Sequence, residues 1–351
     1  MEASLVDSMS AITPGLVCAH HHLYSALARG MPAPPRTPGG FAEVLELIWW
    51  RLDRALDLDT IEWSAKLGAL EALECGCTAI IDHHESPNAI EGSLDVIADA
   101  CAEVGVRVSC CYGVTDRHGA EGARRGLAEN ERFLRSARKG MVGVHAAFTC
   151  TDETLEAAAS LAVDFGVGVH VHVAEGALDA AAAERLMALT SPDWLLVHGV
   201  HLPDDHGLLG TVVHNPRSNM NNAVGYANPS RFANPIALGT DGIGADMLEE
   251  FRVAYARHRE CDVTASAETA WSWLIQGWEL FPEARTDVVR WSYQPMDPWR
   301  LAYTPAVRAT DVVVDGVEVL TGGVATRVDP VEVRAKAAEA AARLFKKLED
   351  V

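Results

Sequence analysis

The stretch AHHHLYSALARGM, residues 19–31, carries three consecutive histidines, His20, His21 and His22, behind an apolar run. In an extended strand, residues two apart point the same way. His20 and His22 can therefore offer two imidazole nitrogens to one ion, while His21 must face the other side. Further histidines follow: His83 and His84 in CTAIIDHH, His145 in MVGVHAAF, His170 and His172 in GVGVHVHV, His198 and His201 in WLLVHGVH, and His214 in GTVVHNP. PIALGTDG adds Asp241. Imidazole with carboxylate suits a divalent transition ion, most simply Zn2+, with Fe2+ and Mn2+ as alternatives. Such an ion lowers the pKa of its bound water and supplies hydroxide near pH 7. Metal-assisted hydrolysis is the chemistry these residues offer.

They can act together only if the fold brings their runs to one place. Eight short, apolar, β-favouring runs occur, the two not yet quoted in full being GLVCAHH and VRVSCCYG. Most are followed by a helix-like stretch, from FAEVLELIWWRLDRAL after the first to LEEFRVAYARHR after the eighth. Strands alternating with helices between residues 16 and 260 predict an α/β fold with a closed parallel sheet, a (β/α)8 TIM-like barrel. No glycine-rich phosphate loop follows the first strand, as an open dinucleotide-binding sheet would require. Barrel chemistry stands at the C-terminal strand ends, and there the histidines fall. The third run alone ends with neither histidine nor aspartate, in Cys110, Cys111 and Tyr112.

Within that frame His172, the later of its pair, is the better placed ligand on the fifth strand, joining His20, His22 and Asp241. Asp241 ends the strand that neighbours the first around the ring, so it can also take a proton from bound water. Glu175, three residues beyond His172, is placed to shuttle that proton to a leaving group. Trp49 and Trp50, in ELIWWRLD, form a lid able to stack on a flat substrate.

The barrel is expected over residues 14–285. Residues 1–13 and 286–351 make a small, trimmed β appendage with a closing helix at about 330–349, and residues 263–283 read as helical. Of the 351 residues 49% are apolar and 22% charged, as in folded globular chains. A net charge of −20 disfavours nucleic acid and anionic lipid as partners. The eight cysteines are scattered, mostly in apolar runs, and read as buried thiols of a cytoplasmic protein. No apolar run approaches the ~20 residues that would span a bilayer. A small-molecule substrate and a homo-oligomer, a dimer, are expected.

The motifs PGLVCAHHHLYSALARGM, HVAEG, LLVHGVHLPDD, HNPRSNM and LGTDGIGADM resemble, in order and spacing, those of the amidohydrolase superfamily. The nearest branch is similar to the aminohydrolases that include triazine hydrolases, guanine deaminase and S-adenosylhomocysteine deaminase, and within it to the SsnA-type aminohydrolases. The resemblance implies His20, His22, His172 and Asp241 as metal ligands and Glu175 as proton shuttle. It makes His198 a hydrogen-bonding partner of water or substrate; His201 is a rival, and strand-end placement favours His198. His145 is implied as a substrate contact, with His214 and Asn219 on the substrate side. Two-metal members bridge their ions by a carboxylated lysine, and none of Lys66, Lys139, Lys336, Lys346 and Lys347 falls at a strand end, so one metal is expected. The implied activity is deamination of an amino-substituted heterocycle or amidine-like C–N bond through metal-bound hydroxide. Hydrolytic dechlorination or ring-amide opening at the same site, and an inactive metal-binding scaffold, are the alternatives. Members of the family usually begin with several strands before the barrel, whereas here only some fifteen residues precede it.

Overall fold

The computed structural model describes residues 11–294 and 297–351. After a two-residue strand, β1 (Ile12–Thr13), the chain runs through β2 (Leu16–His22), β3 (Cys77–His84), β4 (Arg107–Val114), β5 (Val142–Ala146), β6 (Val169–Val173), β7 (Leu195–His198), β8 (Thr211–His214), β9 (Ile236–Leu238) and β10 (Asp241–Gly242). From β2 to β9 each strand pairs in parallel with the next, and β10 pairs in parallel with β2. β9 and β10 are two pieces of one eighth passage, so the sheet closes on itself. Thr240 N donates to His20 O at 3.0 Å across the seam. The barrel expected from the alternating pattern is present.

Two apolar layers hold it. One lies between the sheet and the outer helices and includes Leu16, Cys18, Ile80, Val171 and Leu196. The other fills the inside of the barrel at its N-terminal end, where Val17, Ala19, Ala79, Ile81, Leu195, Val197, Val213 and Ala237 meet Trp278, Phe281 and Ala284. Trp278 is buried and donates its indole N–H to Gly15 O at 2.8 Å. With that end plugged by side chains, the other mouth is the one left for polar groups.

The first outer helix differs from the expected one. The stretch from Phe41 to Ala55 is broken into helical pieces, Phe41–Val44, Leu45–Trp49 and Trp50–Ala55, most of whose residues remain partly exposed. The helix that covers the sheet is Leu58–Glu74, begun by a capping box between Asp57 and Thr60. Its small residues allow close approach: a Cβ on Gly68 would stand 2.8 Å from the Leu23 side chain. The tryptophan-rich pieces cross the mouth instead, where their aromatic faces meet the cavity. After β6 the expected helix is likewise short, Ala182–Leu186.

The C-terminal part forms β11 (Val288–Trp291), β12 (Ala309–Val314), β13 (Val317–Thr321) and β14 (Val324–Ala325), an antiparallel sheet in the order β1-β11-β12-β13-β14. β1 thus joins the appendage; residues 1–10 of the expected N-terminal part lie outside the described residues. The ring of Trp291 ties the sheet to the barrel by filling the space a side chain on Gly76 would need, while its indole N–H donates within the sheet to Thr13 Oγ1 at 2.9 Å. The last helix, Pro330–Lys347, is capped by Asp329 and packs on Leu58–Glu74. Among the described residues no helix is long and apolar enough to cross a membrane.

The interior plug should carry a large share of the stability. Trp278→Ala removes a buried indole and its hydrogen bond, and a loss of about 3–5 kcal/mol is expected from such truncations. Urea unfolding followed by circular dichroism measures it; a change below about 1 kcal/mol would show that the plug is dispensable.

Candidate active site

Strand alternation alone would not deliver the histidines to one point. On β2, Val17 and Ala19 face the barrel interior. A strict period of two would then send His20 outward with Cys18. The pairing with β3 shifts register between Cys18↔Ile80 and His21↔Asp82, which inserts one extra residue. This bulge turns His20 and His22 inward and His21 outward, where its Nδ1 meets Thr240 Oγ1 at 2.8 Å. On β7, Val197 is interior, so His198 should point out; its φ of +76° swings it back toward the mouth. Asp241 also adopts a positive φ, +59°, a conformation that aspartate tolerates better than most residues.

The four residues expected as ligands come together. His22 Nε2 lies 3.0 Å from Asp241 Oδ1, His20 Nε2 3.3 Å from the same oxygen, and His172 Nε2 3.3 Å from His22 Nε2. His198 is equally close: donor atoms of His20, His172, His198 and Asp241 all lie within 4.8 Å of one another. His83, at the end of β3, forms a second such group with His22 and His172. The sequence placed His83 at a strand end but gave no reason to assign it a role.

Each converging ring is held by its far nitrogen. His22 Nδ1 donates to His83 O at 2.6 Å and His172 Nδ1 to His145 O at 2.7 Å. His20 Nδ1 lies 2.8 Å from His170 Nε2, and His198 Nδ1 2.8 Å from Asn219 Oδ1. A carbonyl oxygen can only accept, so the Nδ1 atoms of His22 and His172 carry hydrogen. If both rings are neutral, their Nε2 atoms present lone pairs to each other at 3.3 Å. That arrangement repels unless a positive charge, a proton on one ring or a bound ion, lies between them, and the donor set of imidazoles with one carboxylate fits a zinc-like ion. The buried Nε2 of His198 has no hydrogen-bond partner, which also fits. This is a histidine metal site.

The electrostatics agree. Burial works against charge on His22, yet the Asp241 carboxylate overrides it and lifts the ring to about 9, so the site favours a cation there. Burial also opposes the charge of Asp241, but its contacts with the His20 and His22 rings hold it well below the usual carboxylate range. His20 and His172 are kept neutral chiefly by burial. Glu175 is raised by burial, a change that His198 partly offsets. Its Oε2 lies 3.5 Å from His198 Nε2, and Asn222 Nδ2 donates to Oε1 at 3.1 Å. Ser218 Oγ donates to Asp241 Oδ2 at 2.5 Å.

These groups open into a cavity of about 280 Å³ lined by His22, His172, Glu175, His198 and Asp241, with Trp49, Trp50, Phe148 and His145 on its apolar side. Trp49 and His145, expected as substrate contacts, both line this cavity. His214 and Asn219, implied on the substrate side, do not line this cavity. On β8 Val213 faces inward, so His214 faces out, its ring 6.2 Å from Trp273 and 6.0 Å from Tyr226. Asn219 is turned toward His198 instead. His201, the rival of His198, is exposed and bonds Val224 O at 3.0 Å.

A second polar group on the cavity wall had no strong sequence signal. Asp53, from the helical pieces over the mouth, meets Glu85 at the end of β3 and Arg117 beyond β4, and Arg117 bonds Glu85 while its guanidinium stacks 4.3 Å from the Trp50 ring. Burial lifts Glu85 to about 8 despite Arg117. Asp53, Glu85 and Arg117 are more than thirty residues apart in sequence, which no local pattern reveals.

A closed parallel barrel with imidazole and carboxylate donors gathered at its C-terminal mouth defines the class of metal-site (β/α)8 proteins. Residues 11–274 match the Amidohydrolase family, and the chain belongs to it. It is 30% identical over 285 residues to a 5'-deoxyadenosine deaminase of Methanopyrus kandleri, covering 73% of this chain and 64% of that protein. It is 28% identical over 294 residues to a 5-methylthioadenosine/S-adenosylhomocysteine deaminase of Shouchella clausii, covering 75% and 65%. The match thus spans less than two thirds of the length of these relatives. Among solved structures, an adenosine deaminase from Xanthomonas campestris with bound zinc shares the fold at a TM-score of 0.81 and 22% identity, over 95% of this chain and 86% of that one. The zinc complex of atrazine chlorohydrolase from Arthrobacter aurescens does so at 0.79 and 20%, over 94% and 88%.

Asp82, just below the site, accepts from Leu23 N at 2.7 Å and fixes the turn after His22. Burial pushes its carboxyl up to about 7. A raised carboxyl contributes stability that is intact below about pH 4 and lost as the pH rises through 7. In the metal-free protein Asp82→Asn should escape that loss. Its melting temperature relative to wild type should climb between pH 5 and 7, equivalent to roughly 1.4 kcal/mol per pH unit. Parallel curves across that range would show that Asp82 does not titrate there.

Proposed function

We propose that this protein is a mononuclear metal-dependent aminohydrolase that deaminates an amino-substituted, purine-like heterocycle, with nucleosides as the substrate class. One Zn2+, with Fe2+ or Mn2+ able to replace it, would be held by His20, His22, His172 and Asp241. The observation that carries this reading is the pair of Nε2 atoms of His22 and His172, facing each other at 3.3 Å with both Nδ1 atoms committed to carbonyl oxygens. The names of the relatives support the substrate class, since they are deaminases of 5'-deoxyadenosine and of 5-methylthioadenosine and S-adenosylhomocysteine. Within the family, the quoted motifs favour the SsnA-type branch.

A bound divalent ion supplies Lewis acidity and a lowered pKa for water. The protein's own groups manage the rest. Asp241 stays ionised, held by Ser218, and is the base that takes a proton from the attacking water. Glu175 keeps its proton to higher pH because it is buried, so it can deliver it to the departing nitrogen. His198, oriented by Asn219 between Glu175 at 3.5 Å and Asp241 at 3.8 Å, stands where a hydrogen bond would stabilise the oxygen on the attacked carbon. Trp49, Trp50 and Phe148 give a flat ring apolar faces to stack on and exclude water from its other side.

The zinc-loaded protein should release ammonia from at least one of 5'-deoxyadenosine, 5-methylthioadenosine and S-adenosylhomocysteine, and a chelator should abolish this until zinc is returned. Glu175→Gln should retain zinc while kcat falls about 10²–10⁴-fold. Unchanged turnover would remove Glu175 from the proton path. Chloride from a chlorotriazine without ammonia from any amino-heterocycle would replace deamination by dechlorination.

A further inference from the structure

Two of the buried groups around the site have no part in the mechanism above: His170, one step below His172 on β6, and Cys111, on β4, whose run ends with neither histidine nor aspartate. His22 and His172 are each tied directly to a neighbouring strand's carbonyl oxygen. His20 is not. Its Nδ1 points across the barrel to His170 Nε2 at 2.8 Å, and two ring nitrogens can share that contact with the proton on either one. Beyond it, His170 Nδ1 lies 3.6 Å from Cys111 Sγ, and Cys111 Sγ lies 3.4 Å from Asp82 O.

We propose that Cys111 and His170 form an ordered hydrogen-bond relay that sets the tautomer of His20, keeping its Nε2 free to bind a cation. The order follows from the far end. Asp82 O can only accept, so the Cys111 thiol donates to it. The sulfur then accepts from His170 Nδ1–H, which leaves His170 Nε2 bare. That nitrogen accepts from His20 Nδ1–H, which leaves His20 Nε2 bare, 3.3 Å from Asp241 Oδ1. A ligand histidine ordinarily donates its second N–H to a carbonyl, carboxylate or water. Here two side chains stand between the ligand and the carbonyl, and the third barrel strand contributes through sulfur what its neighbours contribute through backbone carbonyls.

The surroundings hold the relay in place. His20, His170 and Cys111 are completely buried, so bulk water has no access to replace a missing member. Burial keeps the Cys111 thiol protonated. The sulfur is also confined, since a Cβ on Gly143 would stand 3.0 Å from it. His170 and Cys111 are positioning residues that act through His20.

The relay rests on the metal reading given above, and zinc affinity separates the two. Measured by chelator competition on the full chain, His170→Phe removes the acceptor while keeping a ring of similar shape. It should lower zinc affinity about 10–100-fold. His170→Gln places an amide oxygen near the lost Nε2 and should recover most of that affinity, which a purely space-filling role would not allow. In histidine-labelled, zinc-loaded wild type, ring-nitrogen NMR should show both His20 and His170 as the Nδ1–H tautomer. A folded His170→Phe that binds zinc as tightly as wild type, or a His170 protonated at Nε2, overturns the relay alone. The NMR result decides the matter even if His170→Phe fails to fold. Wild-type protein that takes up no zinc overturns the metal reading itself and the relay with it.

Discussion

Two imidazole nitrogens that cannot both be neutral acceptors in comfort are the constraint on which this structure turns. His22 and His172 have spent their Nδ1 protons on backbone carbonyls, and their Nε2 atoms are held 3.3 Å apart. Without a proton or a metal ion between them, that geometry is repulsive. Asp241 supplies the opposite charge at 3.0 Å from His22, so the site is built to attract and retain a cation. Hydrogen bonds with Ser218, Asn219 and Asn222 then orient Asp241, His198 and Glu175 around the same point.

Holding such a site requires a rigid frame that departs from regularity at chosen places. The inner plug around Trp278 and Phe281 gives the strands fixed positions at one end. At the other end a bulge in β2 and the positive φ values of His198 and Asp241 redirect side chains that regular strands would have pointed elsewhere. Irregular backbone of this kind has an energetic cost, which the packed barrel and the closed hydrogen-bonded ring offset. The strain is concentrated where the donors converge.

The cavity wall shows a second balance. Asp53 and Glu85 are both buried, and one guanidinium, Arg117, serves both. With one cation for two acids, burial drives protonation of the pair, and Glu85 is lifted to about 8. Trp50 stacks on Arg117, so the helical pieces over the mouth are fastened to the barrel by the same charge that compensates the acids. The lid, the acids and the aromatic surface are one mechanical unit.

Much of this was legible in the residues alone, for physical reasons. Eight apolar runs separated by helical patterns specify a closed parallel sheet, because strands buried on both faces must be apolar throughout and because parallel neighbours need crossovers. Histidines at the ends of those runs mark the mouth, since barrel strands all present their C-terminal ends on one side. What the sequence could not specify is where periodicity breaks. A bulge or a left-handed residue reverses a side chain's direction without changing a letter, and so His198 turns inward while His214, equally placed at a strand end, turns away. Nor could it reveal partnerships such as Cys111 with His170, or Asp53 with Glu85 and Arg117. Those are set by distances across the barrel, which exist only after every strand has taken its place in the ring.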